Sequence, residues 1–191
     1  MIAYLCLYIT KTQHEHSKLR TNFSNILRRI DLKEKNHNSK LRQFCTFQIS
    51  RHFYGVDILD VKEIIDEIAL TKIHHAPEEV LGFINIRGHV YLVIDLRVLL
   101  SFEKKDIDES SRVLLFTPDV GEAFGILVDN IGHMVEVDEK KIEFRNQDDN
   151  QSESSDRRIN SLEIGACKLD GRLLVILDAR KFLGVIKNKD E

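Results

Sequence analysis

The period of apolar positions changes along the chain. Met1–Ile9 is an unbroken apolar run of nine residues, well short of the ~18 that a membrane-spanning helix needs. No basic stretch precedes it and no small-residue cleavage site follows, which argues against a secretory signal. It reads as a short strand, or as a start codon placed too early. Leu19, Phe23, Ile26, Leu27 and Ile30 then fall at i, i+4, i+7, i+8 and i+11, which predicts an amphipathic helix. Arg20, Arg28, Arg29 and Lys33 lie mostly off that apolar face. Such a basic helix packs on its own domain, lies on a membrane surface or docks on a partner. Lys35–Lys40 is polar and reads as a linker.

From Phe44 onward the pattern changes to short apolar runs separated by Gly, Asp and charged clusters. The runs are Phe44–Ile49, Tyr54–Ile58, Phe83–Ile86, Val90–Ile94, Val113–Phe116, Phe124–Val128, Met134–Val137, Ile164–Leu169 and Leu173–Leu177. Their length and β-branching predict strands of small barrels or sandwiches.

These runs repeat. Gly82 and Gly88 stand six apart, and Asp95-Leu96-Arg97 begins seven residues after Gly88. Gly165, Gly171 and Asp178-Ala179-Arg180 reproduce that spacing at an offset of 83. Tyr54-Gly55-Val56 matches Phe124-Gly125-Ile126 at an offset of 70, which also carries Val61 and Ile64 onto Ile131 and Met134. The difference of 13 residues falls naturally in Asn146–Asn160, a polar stretch that reads as a long surface loop. The body is therefore two similar β units of about five strands, each too small for a robust core alone. Gly82, Gly88 and Gly171 read as turn residues. Asp95 and Asp178 read as caps of the short helical turns that follow, with Arg97 and Arg180 pairing locally. Arg87 differs from its repeat counterpart, Asp170, which points to a role specific to one face, with a solvated turn residue as the alternative.

Composition removes other classes. The chain has 191 residues, 9 Gly, 2 Pro and 3 Cys. Cys6, Cys45 and Cys167 are too few and scattered for a disulfide scaffold and read as reduced thiols of a cytoplasmic protein. Residues 1–42 hold nine Lys/Arg against three Asp/Glu, a net +6; the other 19 basic and 28 acidic residues give −9. So acidic a body argues against nucleic acid as a partner. No P-loop, dinucleotide fingerprint, C-x-x-C or H-E-x-x-H occurs. His14-Glu15-His16 and His74-His75 lack the spacing of a helical metal site. No catalytic residue, metal ligand or cofactor is nominated.

Gly82-Phe-Ile-Asn-Ile-Arg-Gly88 followed by Val93-Ile-Asp-Leu-Arg97 resembles the hallmark of the CheW-like family, G-x-x-N-L-R-G and then I-D-L-R. Tyr54-Gly-Val-Asp-Ile-Leu-Asp-Val-Lys-Glu-Ile64, the Ala76-Pro77 loop and Phe124-Gly-Ile-Leu-Val-Asp129 are similar to further family motifs, in order. The resemblance covers residues 43–184, leaving 1–42 as a basic extension and 185–191 as a polar tail.

The resemblance implies a mainly β fold of two interleaved five-stranded SH3-like barrels with short helices. It implies a non-enzymatic, cytoplasmic adaptor at membrane-associated receptor arrays. Its partners would be the cytoplasmic tips of methyl-accepting chemoreceptors and the regulatory domain of a CheA-type histidine kinase, without direct membrane insertion. By position, Val61, Glu63, Arg87, Val113 and Met134 would form the receptor- and kinase-binding site. The three apolar residues would seat a helix and the two charges would set its register. Val61 and Met134 have the alternative of plain barrel core. Two other readings remain open at this point: a CheW-like adaptor of a divergent chemosensory or surface-motility pathway, and a small-ligand-binding β-barrel protein, which needs a deep polar-lined pocket. Tyr91-Leu92 departs from the family, which often carries Pro in that strand.

Overall fold

The computed structural model describes residues 40–145, 161–169 and 171–187. The expected N-terminal helix, the 146–160 loop and Asp170 lie outside them. Twelve strands are described: β1 (Leu41–Ile49), β2 (His52–Asp57), β3 (Val61–Ile65), β4 (Val80–Ile86), β5 (His89–Asp95), β6 (Arg112–Phe116), β7 (Phe124–Val128), β8 (Asn130–Ile131), β9 (Val135–Asp138), β10 (Glu143–Phe144), β11 (Glu163–Leu169) and β12 (Arg172–Leu177). Helix α1 (Leu96–Leu99) begins inside the first Asp-x-Arg motif, directly after Asp95, and α2 (Phe182–Lys187) follows the second. α2 carries the ordered fold three residues beyond the expected boundary at 184.

The strands form two sheets. One runs β3-β6-β7-β5-β4; the other runs β10-β11-β12-β2-β1-β8, with β9 also on β1. Neither sheet is one sequence repeat. The first repeat crosses between sheets at the turn Ile58–Asp60, and the second crosses between β7 and β8. Each barrel therefore holds strands of both repeats, and neither repeat closes a core alone.

The register confirms the repeat residue by residue. Leu92 stands opposite Phe124 in the parallel pair β5–β7, and Val175 stands opposite Tyr54 in β12–β2. Those are equivalent positions at offsets of 83 and 70. Likewise Val61 faces Phe116 while Ile131 faces Phe47. β8 and β9 are thus one strand equivalent to β3, broken at Gly132–Met134. The short β10 matches the Thr71 bridge to Phe83 in the first barrel. Counted this way, each barrel has five long strands and one short edge segment.

Burial explains the apolar runs. Val113 and Leu115 of β6 enter the first barrel's core with Ile65, Ile84, Tyr91, Val93 and Leu127. Alternation sends Leu114 and Phe116 to the opposite face, where Phe116 lies 4.8 Å from Phe124 and 5.8 Å from Phe182 of α2, ring centre to ring centre. β7 is buried throughout, so a strand covered on both faces reads as a continuous apolar run. Phe44, Val137, Ile142, Cys167, Leu174 and Ile176 form the second core. Each Val, Leu, Ile or Phe side chain among them, fully buried, contributes about 1.5–3 kcal/mol.

Two expectations need correction. Gly82 is not a turn residue. It sits inside β4 at a register shift, with φ +141°, and a Cβ there would lie 2.2 Å from the Thr71 carbonyl oxygen. Its counterpart Gly165 has the same crowding, 2.5 Å from the Glu143 carbonyl oxygen. The first glycine of each pair thus admits the edge segment, whereas Gly88 and Gly171, at φ +86° and +81°, make the turns. The arginines, in turn, form their ion pairs far along the chain, although Arg97 also donates locally, from Nε to the Glu103 carbonyl oxygen at 2.9 Å. Asp95 and Asp178 cap their helical turns as expected, but Arg97 pairs with Asp129 and Arg180 with Asp60. Both bonds reach from one repeat to the crossover of the other and pin the chain where it changes sheets.

Candidate functional site

The β4–β5 hairpin turns on two residues, Arg87 and Gly88, both at positive φ, +53° and +86°. Positive φ at both central positions is the mark of a type I′ turn, where Asn-Gly is the usual choice. The Asn85 side chain accepts a hydrogen bond from the Gly88 N–H at 2.9 Å and steadies the turn. An arginine in the left-handed region costs about 1–2 kcal/mol, so the turn is not optimised for stability. Its side chain is 73% exposed, and the guanidinium donates to a Glu63 carboxylate oxygen at 3.1 Å. Glu63 belongs to β3, so this ion pair spans two separate edges of the first barrel.

The turn Ile58–Asp60 sets where β3 begins. Asp57 accepts the Leu59 N–H at 3.1 Å. Asp60 is buried and receives two hydrogen bonds from Arg180, at 2.7 and 3.0 Å. Burial still pushes the Asp60 carboxyl up, outweighing the adjacent guanidinium. Val61 follows, buried, at the start of β3.

The structure therefore joins Glu63 and Arg87 and separates the other expected contacts. Val113 has no exposed surface; it faces Ile65 across β6–β3, inside the first core. It is core rather than contact surface, because alternation along β6 turns it inward. Val61 is also buried, with only 6% of its surface exposed. Met134 lies half-buried between β8 and β9, in the other sheet.

Sequence reasoning missed two neighbours of the pair. Val61 faces Phe116 and Glu63 faces Leu115, so Lys62 is the extra residue of a β-bulge. Its ammonium donates to the Tyr91 hydroxyl at 2.5 Å and stands 5.1 Å from the centre of that ring. The bulge breaks the alternation of Val61–Ile65, which hid both the strand and the direction of Lys62. The equivalent positions in the second barrel are Gly132 and Leu174. Leu174 is buried in the second core, and beside Gly132 lies a cleft of about 550 Å³, lined by Phe53, Gly132, His133, Val135, Leu169 and Arg172 among others. Arg172 stacks 4.7 Å over the Phe53 ring at its margin.

Known proteins share this architecture. Residues 43–187 match the family model described as the CheW-like domain. The chemotaxis protein CheW of Helicobacter pylori is 27% identical over 146 residues, which cover 76% of this chain and 84% of that protein. The chemotaxis protein CheW of Thermotoga maritima is 26% identical over 152 residues, 78% of this chain and 94% of that protein. The crystal structure of the scaffolding protein TtCheW from Thermoanaerobacter tengcongensis superposes with a TM-score of 0.64 and 26% identity, covering 75% of this chain and 92% of that one. The internal repeat, the exchange of strands between barrels and these matches agree: the chain belongs to the CheW-like domain family and is a chemotaxis coupling scaffold.

Proposed function

We propose that this chain couples the cytoplasmic tips of methyl-accepting chemoreceptors to the regulatory domain of a CheA-type histidine kinase, without catalysing a reaction itself. The receptor tip, a helical hairpin, docks where Glu63 and Arg87 stand, and Met134 adds an apolar contact from the second barrel. The partners place the protein in the cytoplasm at receptor arrays; among the described residues no helix is long and apolar enough to cross a membrane.

One observation carries the reading. Arg87 is held in a conformation that costs stability, and among the described residues its exposed side chain forms an ion pair with the partly exposed Glu63. Strain retained at an exposed charged residue points to a role outside the fold. A planar guanidinium beside a carboxylate offers a donor fork and an acceptor to one partner helix. Mixing the protein with a receptor tip and the kinase regulatory domain, followed by size-exclusion chromatography, tests the bridge. The expected result is a ternary complex. Failure to bind either partner removes the proposal.

A further inference from the structure

We infer that Lys62 and Tyr91 are positioning residues that hold the Glu63–Arg87 pair in its docking geometry. The inference rests on the docking role proposed for that pair. Among the described strands β3 ends its sheet and pairs with β6 alone, so no ladder ties it to the β4–β5 hairpin. The side-chain links across that seam are Lys62 to Tyr91 and Glu63 to Arg87. They come from adjacent residues of β3 and from one hairpin. The bulge between Val61 and Glu63 sets Lys62 out of alternation, and bulges commonly re-aim a side chain beside a functional site. Tyr91 is an anchored partner: its ring is buried in the first core, so its hydroxyl is fixed while Lys62 is exposed.

The second barrel supplies an internal control. With Gly132 and Leu174 at the equivalent positions neither half of the Lys62–Tyr91 link exists, the matching strand is broken, and among the described residues a cleft lies beside Gly132, Leu169 and Arg172. Closure of the first seam is therefore not required by the fold. It belongs to the barrel whose edge carries the strained arginine.

Titration calorimetry with a chemoreceptor tip hairpin tests this on the full chain. Tyr91→Phe keeps the ring and removes the hydroxyl, and Lys62→Met keeps the stem and removes the charge. Each is expected to weaken binding roughly fivefold when Arg87 is present and to have little further effect in an Arg87→Asn background, since residues acting through one another are non-additive. Lys62→Arg, which restores a cation over the ring, is expected to recover affinity. Thermal unfolding of each variant identifies any loss of fold, and Lys62, being exposed, gives variants that keep it. An equal loss in the Arg87→Asn background makes Lys62 or Tyr91 an independent contact and overturns the inference. So does unchanged affinity with Arg87 present. If Arg87→Asn alone leaves binding intact, the docking proposal itself fails, and the positioning role with it.

Discussion

The two barrels follow one plan with different edges. Their strands correspond in order and register, their hairpins turn on equivalent glycines, and each repeat is pinned by its Asp-x-Arg motif to the other repeat's crossover. They part at the seam. In the first, a bulged lysine and an ion pair close it; in the second, Gly132 interrupts the strand and leaves a cleft. Gly132 is itself constrained, because a Cβ there would lie 2.4 Å from Thr46 Oγ1. What the repeats share builds the fold. What they do not share is where a partner can tell one barrel from the other.

The sharpest way to break this equivalence is at the strand glycines. Gly82 combines a positive φ with a backbone clash, whereas Gly165 has the clash alone. Gly82→Ala should cost about 3–4 kcal/mol, and Gly165→Ala less, since backbone strain and overpacking add. Urea unfolding of the two variants measures the difference; equal losses would mean that φ at Gly82 is unimportant.

Val113→Ala comes next. With Val113 fully buried in the first core, the cavity should cost about 2 kcal/mol. Receptor-tip affinity at a temperature where the variant stays folded should be unchanged. A loss of affinity without a loss of stability would return Val113 to the contact surface.

The crossover pins come third. Arg180→Met leaves the buried Asp60 carboxylate without its partner, and should cost about 1–2 kcal/mol, less than for a fully buried pair because Arg180 is itself largely exposed. The Arg97–Asp129 pair is shielded on both sides, so Arg97→Met should cost more. The reverse order, read from chemical denaturation, would show that the two pins are not equivalent in the way the repeat implies.

The smallest effect concerns the caps. Asp95 is buried, its Oδ1 caps α1, and its Oδ2 has no hydrogen-bond partner among the described residues. Burial raises its carboxyl above the ordinary 3.8, against the pull of the Val98 and Arg97 N–H groups. A carboxyl raised on folding is favoured in its protonated form, so its ionisation erodes stability as pH rises through and above 3.8. Asp95→Asn keeps a capping oxygen and should raise the Tm at pH 7, with the gain shrinking as pH falls toward 3.8. A gain independent of pH would assign it to some cause other than charge.

These features were legible in the sequence to different degrees. The nine apolar runs became strands, and the offsets of 83 and 70 reappear as register, because a buried strand face must stay apolar wherever it occurs. Which strands share a barrel was not legible, since pairing between Val175 and Tyr54 leaves no local mark. Nor was β3 itself: its bulge scrambles the alternation that reveals a strand. Glu63 and Arg87 were found as motif positions, but that they bond to each other depends on the closure of a seam between strands that share no ladder. Val113 was misassigned for the opposite reason. Its place in the second unit does not say which face of the strand it occupies.

The central claim is that Arg87 serves a partner rather than the fold. Arg87→Asn tests it most directly, because asparagine tolerates the left-handed turn and removes only the guanidinium. Titration of a receptor tip hairpin into the variant should show affinity at least tenfold lower, while the melting temperature stays level or rises. Undiminished affinity, or a loss that tracks a falling melting temperature, would contradict the account.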